Sequence, residues 1–199
     1  MLATLESVVL ASTSPRRREL LASLGLAIEI VDSSYIEDPL PGLSALETAL
    51  IHARGKAAGA AARPGLTIAA DTVVDLDGTV LGKPRDDDEA RSMLTALAGR
   101  EHRVHTAFAL REAGVVRHVE AVSTTVRFLP LDSVAIEAYV ASGDPRDKAG
   151  AYGIQGFAAT LVERVEGDYF TVVGFPLAAF ARALPALGYR LLPRVVVPA

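Results

Sequence analysis

The sequence predicts a mixed α/β protein, a partly parallel twisted sheet with flanking helices, arranged so that two lobes border a cleft. Three observations predict it. In the first half, short apolar runs alternate with helical patterns, as in strand–helix–strand units that pair strands in parallel. In the second half, apolar runs are joined by two-residue turn signals, Ala113-Gly114 and Gly167-Asp168, which suit antiparallel hairpins. Half of the 199 residues are apolar, and a chain of this length buries roughly 70% of its unfolded surface. That length is enough for one large domain or two small ones.

The elements follow in order. Ser7–Ala11 is an apolar strand. Ser14 is a good N-cap and Pro15 suits the first helical position, so a helix runs to about Leu24 and stops at Gly25. Ala27–Val31 is a second strand, and the polar, proline-bearing stretch 32–42 is a loop. Ser44 with Glu47 forms a capping box for a helix to about Ala62, with Leu46, Ala49, Leu50, Ala53 and Ala57 on its apolar face. Leu66–Leu76 and a return strand ending at Gly82-Lys83-Pro84 flank the turn Asp77-Gly78. Asp86 caps a helix to about Ala98. Strands then cover His102–Arg111 and Val115–Phe128, and Asp132 opens a helix that ends near Gly143. Gly150–Gln155 is a short strand or loop. Ala159–Val165 and Tyr169–Val173 are expected to pair as a hairpin, before a last helix over Pro176–Leu187.

Bulk composition excludes several classes. With 20 basic and 24 acidic residues the net charge is −4, which argues against general affinity for nucleic acid or anionic membrane. There are no cysteines, so disulfides, thiolate zinc sites and cysteine nucleophiles are ruled out. The N-terminus carries Glu6 and no basic segment, and the apolar stretch 172–187 is broken by two prolines and an arginine. Neither a secretory signal nor a membrane span is read, and a cytoplasmic location is expected.

The chemistry concentrates after the first strand, in Ser12-Thr13-Ser14-Pro15-Arg16-Arg17-Arg18. A helix N-terminus presents free N–H groups and partial positive charge. Arginines in that first turn each cost a few tenths of a kcal/mol against the dipole, unless an anion is bound. Guanidinium forks fit phosphate, and the hydroxyls of Ser12 and Ser14 add donors. A phosphate ester is the natural guest; a solvated basic helix start is the plainer alternative. Asp71 interrupts an apolar strand, which is costly unless the carboxylate is paired, protonated, metal-bound or turned to solvent on an edge strand. Glu37 offers a second carboxylate, though a loop glutamate is ordinarily solvated.

Lys56 flanks the apolar face of its helix, either snorkelling or reaching into a phosphate cleft. Lys83 follows a hairpin. The run Gly78–Pro84 is not a P-loop, since it has three residues between its glycines and a proline where Ser or Thr must hold Mg²⁺. His52, His102, His105 and His118 have no metal-ligand spacing and are expected on strands or at the surface. The glycine-rich run 150–156 suits close backbone approach to a ligand and a tight turn equally.

Five segments in this order resemble the Maf family of nucleotide pyrophosphatases, first associated with septum formation. They are LASTSPRRRELL at 10–21, ADTVV at 70–74, GKP at 82–84, AGAYGIQG at 149–156, and GDY with VVGFP at 167–176. The resemblance spans nearly the whole chain and implies a single domain over residues 1–199. It implies an elongated fold similar to inosine triphosphate pyrophosphatase, with a central cleft. It also implies hydrolysis of a nucleoside triphosphate to the monophosphate and pyrophosphate with a divalent metal, Mg²⁺ or Mn²⁺, which hard oxygen ligands suit. Asp71 is then the catalytic residue, as general base or metal ligand, with Glu37 and Asp71 the metal carboxylates. Ser12, Arg16, Arg17, Lys56, Thr72, Lys83 and Gln155 are the substrate-binding set.

Asp71-Thr72 together with Gln155 resembles the branch acting on dTTP and UTP. A 7-methyl-GTP or broad specificity, or a nucleotide-sensing division regulator without catalysis, are the alternatives. A glutamine amide offers the donor and acceptor that the O4/N3 edge of thymine or uracil requires, so CTP is expected to be poorer. Thr72 is expected on the face of the strand opposite Asp71, or on the cleft wall if the strand bulges. The expected partners are the nucleotide and at most a second copy of the chain in a homodimer.

Overall fold

The computed structural model describes residues 1–192; the tail 193–199, included in the expected domain, lies outside the described residues. A seven-stranded sheet dominates. β2 (Ser7–Leu10) pairs in parallel with β3 (Ala27–Ile30) on one side and with β4 (Thr67–Leu76) on the other. From β4 onward the sheet is antiparallel: β6 (Glu101–Glu112), β7 (Val115–Phe128) and β8 (Val162–Glu166) follow across it. β5 (Thr79–Leu81) folds back on β4 through the Asp77-Gly78 turn. A separate parallel pair, β1 (Ala3–Thr4) with β9 (Tyr189–Arg190), joins the two ends of the described chain. Nothing in so short an N-terminal run signals that pairing.

Alternation along β4 divides the interior in two. Ile68, Ala70, Val74 and Leu76 face the larger core, which holds Phe108, Phe128, Phe175 and Phe180 and the buried sides of α1 (Pro15–Ser23), α3 (Asp87–Leu97), α4 (Ser133–Ala141) and α6 (Leu177–Ala183). Ala69 and Val73 face the smaller core under α2 (Ala45–Gly59). That second core is largely alanine: Ala49, Ala53 and Ala57 of α2 lie against Ala69, Ala107 and Ala109. Small side chains on both surfaces let helix and sheet approach closely. The capping box starts α2 as expected. Its C-terminal carbonyls are satisfied from outside the helix, because the buried Arg111 donates to the carbonyls of Ala57, Ala58 and Ala60.

One feature of the pairing opens the site. β2 pairs with β4 only at Thr67 and Ile68, and β5 pairs with β4 only from Val74 onward. Between them β4 has one unpaired flank, while its other edge stays in register with β6 from Thr67 to Asp75. Asp71 and Thr72 sit in that gap, beside the point where the chain leaves β2 and enters α1.

The last third departs from expectation. Tyr169–Val173 is a short helix, α5, and not a strand; the expected hairpin across Gly167-Asp168 does not form. Asp168 acts as a helix cap: its carboxylate accepts from the Phe170 N–H at 3.0 Å and from the Thr171 hydroxyl at 3.2 Å. This local capping overrides the strand preference of Thr and Val. β8 pairs with β7 instead, and residues 156–161 form 3₁₀ turns. Residues 150–155 contain no strand.

Candidate active site

The strand–helix junction builds as its residues dictate. Ser14 caps α1, accepting from the Arg17 N–H, with Pro15 at the first helical position. Neither Arg16 nor Arg17 lies free along the helix. Arg17 turns back into the gap beside β4. Its Nε donates to the Gly174 carbonyl at 2.9 Å, and its terminal nitrogens donate to Ser12 Oγ at 3.2 Å and Thr72 Oγ1 at 3.0 Å. All three acceptors are uncharged, so the positive charge stays uncompensated by direct contact. Burial lowers the Arg17 pKa from its ordinary value, and the nearby Asp71 carboxylate acts in the opposite direction. Arg16 differs: it pairs with Asp147 across the cleft at 3.3 Å.

On the opposite face of β4, Asp71 is 7% exposed. Its Oδ1 accepts from Lys56 Nζ at 2.7 Å, and the same ammonium lies 2.8 Å from Glu37 Oε2. Oδ2 of Asp71 has no hydrogen-bond partner among the described residues and is not sealed from the cleft. The alternative of a solvated edge-strand aspartate is thereby corrected: β4 is a central strand and the carboxylate is paired. Glu37 stays exposed, as a loop glutamate ordinarily is, and still joins the ion pair. Partial burial raises its pKa, but the hydrogen bond and charge of Lys56 outweigh this and leave it below the ordinary glutamate value.

The loop that carries Glu37 is clamped to α2. Tyr35 lies across Gly55, where a Cβ would stand 2.2 Å from the ring, and its hydroxyl is 3.0 Å from His52 Nδ1. His52 is therefore buried on a helix facing the cleft, not on a strand or at the surface as expected. His102, His105 and His118 do lie on β6 and β7.

The far wall comes from the second half. Lys148 donates to the carboxylates of Asp144 and Asp147 and runs beneath Gly153, where a Cβ would stand 2.6 Å from its Cε. The Gly153 N–H donates to the Tyr139 hydroxyl, which donates to Asp144. Tyr152 contacts the buried His102 through a 2.7 Å hydrogen bond. This lattice holds the glycine-rich segment, and Gln155 stands exposed at its end on the cleft rim. Lys83 is exposed on the same rim and makes no hydrogen bond or ion pair with any described residue; its charge helps lower the Glu37 pKa.

A cleft of about 1070 Å³ results. It gathers Ser12, Arg16, Arg17, Glu37, Lys56, Asp71, Thr72, Lys83 and Gln155, which are separated by up to 143 positions in sequence. The sequence reading missed Tyr35, His52, Thr106, Asp147, Lys148 and Gly174. For His52 a signal existed, since it lies four residues before Lys56 and so on the same helix face. Among the described residues, no three His, Asp or Glu side chains converge as a metal site. The two carboxylates on one ammonium nevertheless mark a position built for positive charge.

The profile of the family described as Maf-like protein matches residues 7–187. A dTTP/UTP pyrophosphatase of Anaeromyxobacter dehalogenans is 50% identical over 188 residues, covering 92% of this chain and 95% of that protein. One from Thermus thermophilus is 48% identical over 184 residues, covering 92% and 96%. Among solved structures, a nucleoside-triphosphatase, dITP/XTP pyrophosphatase, of Mycobacterium abscessus aligns with a TM-score of 0.43 at 19% identity, over 91% of this chain and 98% of that one. No helix among the described residues is long and apolar enough to cross a membrane. With the profile match spanning both walls of the cleft, the chain belongs to the Maf family.

Proposed function

We propose that the protein is a nucleoside triphosphate pyrophosphatase that hydrolyses dTTP and UTP to the monophosphate and pyrophosphate. The observation that carries this reading is the pairing of opposites on adjacent residues of β4. Asp71 presents a carboxylate oxygen without a protein partner, and Thr72 anchors a guanidinium whose charge no carboxylate cancels. A triphosphate seated at the start of α1 would meet Arg17, the spare proton of Ser12 Oγ and the helix N–H groups. Lys83 and Arg16 would approach its outer phosphates, Arg16 after release from Asp147.

Water attacks the α-phosphorus, the bond to the α,β-bridging oxygen breaks, and its electron pair leaves with pyrophosphate. Asp71 Oδ2 orients the water and takes its proton. Lys56 holds Asp71 by its other oxygen, which keeps the free oxygen aimed into the cleft. The cations offset the charge that builds on the leaving group. Glu37 and Asp71, the two carboxylates that share the Lys56 ammonium, would hold a divalent cation of the hard, oxygen-seeking kind, Mg²⁺ or Mn²⁺. Such an ion would supply charge neutralisation on the triphosphate. The Gln155 amide N–H donates to O4 of the pyrimidine. The site is formed by one continuous chain, consistent with a single domain, and a cytoplasmic enzyme of nucleotide pools is the setting that substrate implies.

Pyrophosphate release from a panel of nucleoside triphosphates with Mg²⁺ or Mn²⁺ tests the reading. The expected result is pyrophosphate from dTTP and UTP, abolished by chelation. Orthophosphate as product, or full activity after exhaustive chelation, would overturn the chemistry. A higher kcat/KM for a 7-methylguanine or other purine triphosphate would overturn the substrate assignment alone.

A further inference from the structure

A chain of hydroxyls runs from the cleft into the core, and its direction is determined. Thr106 lies opposite Thr72 in the β4–β6 register, and both are on the face away from Asp71. Thr106 is fully buried, as is Thr171. Thr106 Oγ1 is 2.7 Å from the Thr171 carbonyl oxygen, which can only accept. The single Thr106 proton is therefore spent inward. The 2.9 Å contact between Thr72 Oγ1 and Thr106 Oγ1 must then run from Thr72 to Thr106. Thr72 has no proton left for the cleft. It accepts from Arg17 and retains one lone pair. At Gly174, with φ +123, an added Cβ would stand 3.6 Å from Thr72 Oγ1, in van der Waals contact, so the glycine leaves that side of the hydroxyl open.

We infer that Thr106 is a positioning residue for specificity, which makes Thr72 an obligate acceptor toward the cleft. This rests on the pyrimidine reading above and deepens it. Uracil and thymine carry an N–H at ring position 3, while cytosine carries a bare lone pair there. An acceptor that cannot rotate into a donor accommodates the first and repels the second. A free threonine hydroxyl would serve both, because its proton turns to suit its partner. Discrimination thus depends on a buried residue that the nucleotide never touches.

The test compares kcat/KM for UTP and CTP in the wild type, Thr106→Val, Thr106→Ser and Thr72→Val. Valine keeps the shape of threonine but removes the inward relay, freeing the Thr72 proton. The UTP/CTP ratio is expected to fall by about tenfold in Thr106→Val, with CTP gaining relative to UTP, and by a similar factor in Thr72→Val. Serine at 106 restores the relay and is expected to keep the wild-type ratio; its retention excludes a mere folding defect. A Thr106→Val enzyme that loses UTP and CTP activity in equal proportion overturns the inference, since Thr106 would then serve only to hold Arg17. Failure of the pyrimidine reading looks different: the wild type itself would not favour UTP over CTP.

Discussion

The two faces of β4 at the cleft solve the same problem by opposite means. On the Asp71 face, charges are compensated directly: two carboxylates share the Lys56 ammonium, beneath a helix brought close by alanines. On the Thr72 face no carboxylate among the described residues contacts the Arg17 guanidinium. A guanidinium is held by a carbonyl and two hydroxyls, and a relay of neutral groups continues into the aromatic core. The difference teaches where each face can act. A paired cation needs to exchange partners before it meets a substrate, whereas a cation held by dipoles keeps its charge available. Arg16 and Arg17 repeat the contrast one residue apart, the first ion-paired to Asp147 and the second not.

The sharpest way to break the comparison is at Asp71. Asp71→Asn keeps the volume but removes charge and basicity, and kcat is expected to fall about 10²–10⁴-fold while the thermal transition stays cooperative. A loss below tenfold would show that the charged face is structural.

Acid probes the neutral face. His102 belongs to it, buried between Phe128 and Tyr152, and burial pushes its pKa down from 6.5 to about 4. A depressed folded-state value means that the unfolded chain binds the proton first as pH falls. Stability is therefore full above about pH 6.5 and is lost as pH drops toward 4, by up to about 3 kcal/mol. Thermal denaturation between pH 7 and 4 should show this slope, and His102→Gln, which cannot titrate, should flatten it. An unchanged slope would place the acid sensitivity elsewhere.

The two arginines sharpen the comparison further. Arg17→Ala should lower kcat/KM by roughly 10–100-fold, the worth of a charge-assisted contact of about 1.5–3 kcal/mol. Arg16→Ala should cost less, because Arg16 gives up Asp147 in order to act, and the exposed pair it leaves contributes about 0–1 kcal/mol. Equal losses would mean that pairing with Asp147 does not matter. The smallest effect is expected from Asp147→Asn, which frees Arg16 and should lower KM for nucleotides a few-fold, as read in steady-state kinetics at low ionic strength.

How much of this was legible in the sequence follows from the range of each signal. Caps, turns and periodicity act over a few residues. Ser14-Pro15, the Ser44/Glu47 box and Asp77-Gly78 accordingly appear in the structure where the sequence placed them. The basic helix start and the anomalous Asp71 were readable because each violates a local rule: basic residues against a dipole, and a charge in an apolar strand. The same local reasoning failed at Gly167-Asp168, where a turn signal and a helix cap share one chemistry, and the chain uses Asp168 as the cap.

Partnerships were decided by tertiary structure alone. Lys56 meets Asp71 because an alanine seam sets the spacing between α2 and the sheet. Arg17 stays uncancelled because β2 stops short along β4 and Gly174 arrives with a bare carbonyl. Thr106 orients Thr72 because register places them opposite each other. Each of these contacts joins residues 15 to 157 positions apart, and a sequence records the types of such residues but not which of them meet.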